Sequence, residues 1–350
     1  MGSIRAIVIG IGSVGSGIHR VMLDKGVDIV GAIDADPAKA GQDLGQVLGL
    51  DRDLGVIVQS DAGKVLGHVP ADIAVVSVAT FEPTYPVYLA CIDASLDVIS
   101  TDDQATHPWA LYPDQSIEID RRARAQGVTV TASGNQDALG VHLPLLISGC
   151  CSEVRTITAL VKTNLNNAGA QTCRDFHAGA TLEAFHANVG GKQEFRPFRH
   201  YAESIAAGLG LTVTGVSFTD EPLTDETPVH CIPLATSIEP GLVTGKNTIT
   251  EVTTEEGITI RAEYAVKVFA EEEQPKRVWQ LSGTPDMNVD YTAPGVPPIS
   301  RATQLVNRIP DVLNMSPGLV TIDAYPPLKY RHKPLHNYVR TGKKPKEIQW

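Results

Sequence analysis

Two groups of residues in this 350-residue chain have the types and spacing for chemistry. The first is Gly10-Ile11-Gly12-Ser13-Val14-Gly15. It follows an apolar run over 3–9 and opens a stretch with Val14, Ile18, Val21 and Met22 at helical spacing. Gly10 permits a tight turn, Gly12 lets a pyrophosphate approach the backbone, and Gly15 lets helix pack on strand. The backbone N–H groups of Ser13 and Val14 open the helix, where unpaired donors and the positive dipole end favour phosphate. Asp34 closes the next apolar run about 20 residues on, where an acid accepts both hydroxyls of an adenosine ribose. That favours NAD over NADP, because a 2′-phosphate would meet a carboxylate, while Lys39 keeps NADP within reach. The alternative for Asp34 or Asp36 is the cap of a helix begun by Pro37; we divide the roles, with Asp34 on ribose and Asp36 as cap.

The second group is Asp102-Asp103-Gln104, directly after the run Val98-Ile99-Ser100-Thr101. Paired acids at the carboxyl end of a parallel strand can hold and release protons beside a bound nicotinamide. The plainer alternative is a loop or cap with solvated acids. Thr80 also ends a buried run, and reads as a cofactor neighbour or as an ordinary loop residue.

The elements that must carry these groups form an α/β pattern. Strand, glycine turn, helix and strand occupy the first 34 residues; strands recur at 56–58, 73–78, 97–100 and 128–131, with helices near 83–94 and 115–126. Short Val/Ile/Ala runs of this kind are buried on both faces in a parallel sheet. After about residue 140 come Thr/Val/Ile-rich segments at 154–163, 212–219, 228–236, 246–254, 258–269 and 277–282, with helices near 142–149 and 200–209. The fold class is a Rossmann-type doubly wound parallel sheet plus a second, mixed α+β domain with an open sheet. Domain one is 1–140, completed by 300–325; domain two is 141–299, ending in a Pro/Gly linker at 292–298. Ser300 caps a helix carrying Leu305, Val306 and Ile309, which Pro310 stops. Residues 326–350 form a basic tail with seven Lys or Arg against one Glu, read either as a solvated end or as an arm docked on acidic surface, of this subunit or a neighbour.

Composition narrows the function. A hydrophobic fraction of 43 % with 20 % charged residues is that of a globular chain, and a net charge of −11 disfavours nucleic acid or anionic membrane as partner. No run reaches the ~18 apolar residues of a membrane helix. Five cysteines without a Cys-x-x-Cys indicate reduced thiols and a cytoplasmic setting, with the vicinal Cys150-Cys151 pair read as buried small residues rather than as a redox element. His177, His186 and His200 are spaced too irregularly for a metal site, so none is expected.

The chain resembles the 2,4-diaminopentanoate dehydrogenases and native amine dehydrogenases of the dihydrodipicolinate-reductase-like superfamily, over about residues 4–325. The resemblance rests on Gly10–Gly15, Ile33-Asp34-Ala35-Asp36-Pro37 with Gly41-x-Asp43-Leu44-Gly45, and Val98-Ile99-Ser100-Thr101. Further matches are Glu203-Ser204-Ile205, Glu239-Pro240-Gly241, Ala302-Thr303, Val306-Asn307-Arg308-Ile309-Pro310 and Pro317-Gly318-Leu319. It implies NAD(P)-linked interconversion of a small amine with a ketone and ammonia, a second domain for substrate and dimerisation, and a homodimer. It implies a catalytic acid at Asp103, where the family carries the first Glu of a pair, with Asp102 as the other candidate. Substrate contacts are implied at Asn135, Gln136, Asn164, Phe198 and Thr303. The chain departs from the family at Gly134-Asn135-Gln136-Asp137-Ala138, where Gly-x-Asn-Pro-Gly is common, and at Phe198, where a His is common. A carboxylate clamp is not evident near Lys162, Asn164, Asn166, Asn167 and Arg174. Dihydrodipicolinate reductase proper would need substrate motifs that are absent. A sugar oxidoreductase of the glucose–fructose type would need Glu-Lys-Pro at 101–103. A non-catalytic dinucleotide-binding protein is the remaining alternative.

Overall fold

The computed structural model describes residues 2–78, 80–188, 196, 198–292 and 298–340. Most of the Pro/Gly linker and the tail beyond 340 lie outside them. The chain divides into two compact units, Met1–His142 with Gly295–Trp350, and Leu143–Pro294.

The first unit begins β1 (Ile4–Ile9), α1 (Ser13–Asp24), β2 (Val27–Ile33), α2 (Leu44–Val47), β3 (Val58–Gln59), β4 (Ile73–Val76), α3 (Phe81–Asp93), β5 (Asp97–Ser100), α4 (Pro113–Gln126) and β6 (Thr129–Ala132). The second unit holds α5 (Leu143–Ser148), β7 (Glu153–Asn164), α6 (Ala170–Asp175), α7 (Leu182–Asn188), α8 (Arg199–Gly208) and β8 (Val213–Thr224). It continues with β9 (Val229–Cys231), β10 (Thr236–Ile238), β11 (Val243–Thr254), β12 (Thr259–Lys267), β13 (Lys276–Thr284) and β14 (Met287–Asp290). The chain then returns to the first unit with α9 (Pro298–Asn314) and β15 (Gly318–Leu319).

The first unit is a seven-stranded parallel sheet in the order β15-β6-β5-β4-β1-β2-β3. Strand order reverses between β1 and β4, so a crevice opens at their carboxyl ends. β4 and β5 are buried along their whole length, as apolar runs covered on both faces must be. One face packs α1 and α9 through Ile18, Met22, Leu305, Val306 and Ile309; the other packs α3 and α4 through Phe81, Tyr88, Ile119 and Ala123. α4 starts at Pro113 and ends at Gly127, whose φ of 71° is the left-handed closure that glycine adopts without strain.

The second unit is a mixed six-stranded sheet, β14-β13-β7-β12-β11-β8, in which only β7 and β12 pair in parallel. Three readings of the sequence need correction. Residues 228–236 are not one strand, because β9 and β10 fold back on each other as an antiparallel pair. No helix follows Pro37; Asp36 instead accepts the Ala38 N–H at 2.9 Å and closes a turn. Finally, α9 starts at Pro298, so Ser300 lies in its first turn, and it runs through Pro310 to Asn314. An interior proline typically costs ~3 kcal/mol. Here nearby Ile309 and Val312 are fully buried, and carrying them into the core outweighs the lost backbone bond.

The described part of the tail straps the ends of α1 and α9. Leu335 is fully buried, and its N–H donates to Lys25 O at 3.0 Å. Arg331 pairs with Asp311 at 2.8 Å, and the Asn314 side chain donates to Tyr338 O at 2.9 Å. The acid that receives this segment is thus on its own chain. Among the described residues no helix is long and apolar enough to cross a membrane.

Stopping the chain after Ala324 removes Leu335, worth ~1.5–3 kcal/mol of burial, together with the strap's hydrogen bonds. The melting temperature should fall by at least about 5 °C. Unchanged melting of the shortened chain, read by circular dichroism, would show that the strap adds nothing.

Candidate active site

The glycine turn is shaped for a phosphate. Gly10 has φ +87°, and a side-chain carbon there would sit 2.6 Å from Ser77 O; one at Gly15 would sit 2.2 Å from Gly10 O. These two are fixed by the fold. Gly12 is different: nothing lies within 4 Å of where its side chain would begin, so its bareness serves what approaches from outside. Gly12, Ser13 and Val14 are exposed, and no side chain caps the first turn of α1. Those free donors fit the pyrophosphate of a dinucleotide.

Asp34 ends β2 beside this turn. Its Oδ2 accepts the Ile11 N–H at 2.6 Å and lies 3.1 Å from Lys39 Nζ; its Oδ1 accepts the Asp36 N–H at 2.9 Å. Burial pushes the carboxyl up, but these bonds and the lysine charge hold it below its ordinary value. Lys39 also lies 3.5 Å from Asp36. The acid that can take a ribose diol thus carries its own counter-ion, and the same lysine could face a 2′-phosphate. Thr80 stands exposed at the start of α3 with φ 65°, a strained left-handed conformation for a β-branched residue at the rim of the crevice.

The two acids after β5 have different surroundings. Asp102 is buried, its Oδ1 accepts the Gln104 N–H at 3.0 Å, and Tyr88 Oη lies 3.3 Å from Oδ2. Burial raises its pKa to about 7, aided by the neighbouring Asp103 charge and opposed by the hydrogen bonds from Gln104, Tyr88 and Ala105. Asp103 is only half-buried, but its Oδ1 is enclosed with no hydrogen-bond partner. Burial pushes its carboxyl up as well, and the Arg301 charge acts against that push. Gln104 uses its side-chain oxygen to accept the Phe81 N–H at 2.8 Å, tying this turn to the start of α3.

Next to the acids, residues 133–142 are fastened to α9. Arg308 makes a two-pronged pair with the fully buried Asp137, Nη2 to Oδ1 at 2.6 Å and Nε to Oδ2 at 2.9 Å. Ser133 Oγ donates to the same carboxylate at 2.7 Å. Gln304 Oε1 accepts the Ala138 N–H at 2.9 Å. Among the expected substrate residues, Asn135 and Thr303 are half-buried, and Gln136 is fully buried with both amide atoms unpartnered.

In the first unit the glycine turn, Asp34 and Thr80, the acid pair, Asn135 and Gln136 all follow carboxyl ends of neighbouring parallel strands. Asn164 and Phe198 belong to the second unit. Asn164 Oδ1 accepts the Asn166 N–H at 2.9 Å and the Phe269 N–H at 3.3 Å; Phe198 has φ 68° and its ring packs against Tyr201 and Tyr264. Sequence reasoning missed Tyr88 and Arg301. Tyr88 shares helical spacing with the buried Phe81, Thr84 and Cys91, which reads as core; only its hydroxyl's aim at Asp102 marks it.

Residues 141–332 match the model of the 2,4-diaminopentanoate dehydrogenase C-terminal domain family. The 2,4-diaminopentanoate dehydrogenase of Acetoanaerobium sticklandii is 24 % identical over 334 residues, covering 92 % of this chain and 93 % of that protein. The structure of an amine dehydrogenase from Mycobacterium smegmatis is 33 % identical, with a TM-score of 0.82 over 94 % of this chain and 98 % of the other. GenD2 from gentamicin A biosynthesis, solved in complex with NAD, shares the fold at 16 % identity, with a TM-score of 0.54 over 85 % of this chain and 75 % of the other.

The Asp102 environment predicts a stability change with pH. Its carboxyl titrates higher in the fold than in the unfolded chain, so folding favours the protonated form. The stability it contributes is complete below about pH 4. It is lost as pH rises through about 7. Asp102→Asn should therefore melt close to the parent at pH 4 and several degrees above it at pH 8. A difference that stays constant between those pH values would show that Asp102 titrates as an ordinary acid.

Proposed function

The chain belongs to the 2,4-diaminopentanoate dehydrogenase family, and from that premise we propose that it is an NAD(P)-dependent amine dehydrogenase, joining ammonia to a ketone in one direction and deaminating the amine in the other. The observation that carries this reading is the Asp102–Asp103 pair at the end of β5, with one carboxyl enclosed beside Tyr88 and the other holding an unpartnered oxygen near Arg301.

Ammonium must lose a proton before its nitrogen can attack a carbonyl carbon. In our reading Asp103 takes that proton and later returns it to the hydroxyl that leaves as water, so the base becomes the acid within one turnover. The iminium so formed is a cation, and a carboxylate beside it lowers the cost of forming it away from bulk water. When bound, the nicotinamide supplies or takes the hydride at that carbon. Asp102, kept near neutrality by burial, limits the charge of the pair and fixes the turn through Gln104. Asn135, Gln136 and Thr303 are the first unit's candidates for holding the substrate. The glycine turn and Asp34 are the candidates for holding the cofactor, with NAD favoured over NADP because Asp34 already neutralises Lys39.

Asp103→Asn should retain the fold and cofactor affinity while losing at least ~100-fold in both directions, the scale of a general acid–base contribution. Near-normal turnover would move the role to Asp102, and full activity of Asp102→Asn as well would end the strand-end carboxylate mechanism. Asp34→Ser should release Lys39 and raise NADP use relative to NAD by about tenfold, the scale of one lost charge interaction. An unchanged ratio of kcat/KM values would assign Asp34 to the turn alone.

A further inference from the structure

Arg331 belongs to the C-terminal strap, far in sequence from the candidate site, yet a short row of charges joins it to the segment after β6. Its Nη2 lies 2.8 Å from Asp311 Oδ1. The other oxygen of Asp311 accepts a hydrogen bond from Arg308 Nη1 at 3.2 Å. Arg308 in turn grips Asp137 with its two-pronged bond, and Asp137 accepts from Ser133. Two cations and two anions alternate along the row, so their formal charges cancel. Side-chain exposure rises only from 0 % at Asp137 and 1 % at Arg308 to 13 % at Asp311 and 16 % at Arg331, so water screens none of them well.

The strap builds much of the outer half of this row. The Tyr325 ring lies 5.0 Å from Arg308 Cζ, Pro326 O accepts from Arg308 Nη1 at 2.9 Å, and the Tyr338 ring lies 4.8 Å from Arg331 Cζ. Each guanidinium is thus drawn to an aromatic face as well as to its acids. The three nitrogens of Arg308 all have partners, with His142 Nε2 a further one at 3.4 Å from Nη2.

A guanidinium is one rigid plane, so a shift of Nη1 also turns Nε and Nη2 away from Asp137. Asp311 pulls on Nη1. Arg331 shares the charge of Asp311 and so limits that pull. Without Arg331, two acids largely withdrawn from water would compete for one cation. The plane would turn toward Asp311 and loosen its hold on Asp137, the residue next to Gln136. The neighbouring tie between this segment and α9 is a single hydrogen bond, from the Ala138 N–H to Gln304 Oε1 at 2.9 Å.

We propose that Arg331 is a positioning residue for the substrate: through Asp311 and Arg308 it sets the placement of Asn135 and Gln136. The proposal rests on the amine-dehydrogenase reading, in which those two residues hold the substrate, and extends the site to a strap residue that never meets it. The strap then has a role besides stability, because affinity for the substrate depends on it.

The test compares Arg331→Gln and Arg331→Lys with Lys333→Gln, which removes an exposed charge from the same strap. Melting curves establish that the three variants fold. The assay is reductive amination of pentan-2-one and of 4-oxopentanoate, with NADH or NADPH and ammonium. Arg331→Gln should raise KM for the ketone by about 3- to 30-fold, the range for residues that modulate a site without touching its ligand. Its kcat and its KM for the reduced cofactor should stay near those of the parent. Arg331→Lys, which keeps a cation for Asp311, should regain most of the loss, and Lys333→Gln should show none. Hydrogen exchange supplies a readout independent of turnover: the Ala138 N–H should exchange faster in Arg331→Gln by a similar factor. An unchanged ketone KM overturns the proposal. A cofactor KM that rises with the ketone KM also overturns it, because that marks general loosening. So does faster exchange confined to the strap, at the Leu335 N–H bonded to Lys25 O, with Ala138 unaltered. A parent that turns over neither ketone defeats the amine-dehydrogenase reading; the Ala138 exchange rate then decides by itself whether Arg331 governs the segment.

Discussion

The Asp137–Arg308 pair is the interaction on which the segment after β6 depends. Both groups are fully buried, and the carboxylate is met on both oxygens by the guanidinium and on one by Ser133. Such a pair adds little net stability over apolar residues of the same shape, because desolvation consumes most of the Coulomb gain. What it supplies is geometry. A two-pronged bond fixes orientation as well as distance, so the segment carrying Gly134, Asn135 and Gln136 cannot slide along α9. Arg308 extends the same restraint to Asp311 and to the carbonyl of Pro326. Losing one partner would leave a buried charge, typically a penalty of about 3–5 kcal/mol.

The acids after β5 show how one stretch of chain can hold two carboxyls in different states. Asp102 turns into the protein, toward Tyr88 and the backbone of its own turn. Asp103 feels the Arg301 charge instead, and its enclosed Oδ1 has no donor. Their adjacency makes each unfavourable for the other's charge, and the environments decide which is more easily kept neutral.

Much of this was legible in the residues. The glycine turn with Asp34, the short buried strands and the change of texture near 140 reflect periodicity and turn chemistry, which are local. Asp102 and Asp103 were visible as candidates because strand ends in a parallel sheet open onto the crevice. What was not legible depends on contacts between distant segments. Nothing near Arg301 says that its stem will flank Gly134 together with Gln136, and nothing near Tyr88 says that its hydroxyl will meet a carboxylate inside the core. Pro310 misled for the same reason: local rules end a helix there, whereas the buried faces of Ile309 and Val312 continue it. Likewise Asp36 has the type and position of a helix cap, but the residues after Pro37 pair as turns instead of entering a helix.

The return of the chain to its first unit has a consequence for how the protein is made. The core around β1 and α1 includes Ala302, Leu305, Val306, Ile309, Tyr325 and Leu335, and β15 completes an edge of the sheet. On the ribosome, residues 1–142 emerge long before those side chains exist. The nascent first unit must wait with one apolar face uncovered while the whole second unit is synthesised. The final fold of that segment is therefore decided only after the second unit and α9 have been made, and the open face is the surface a chaperone would meet.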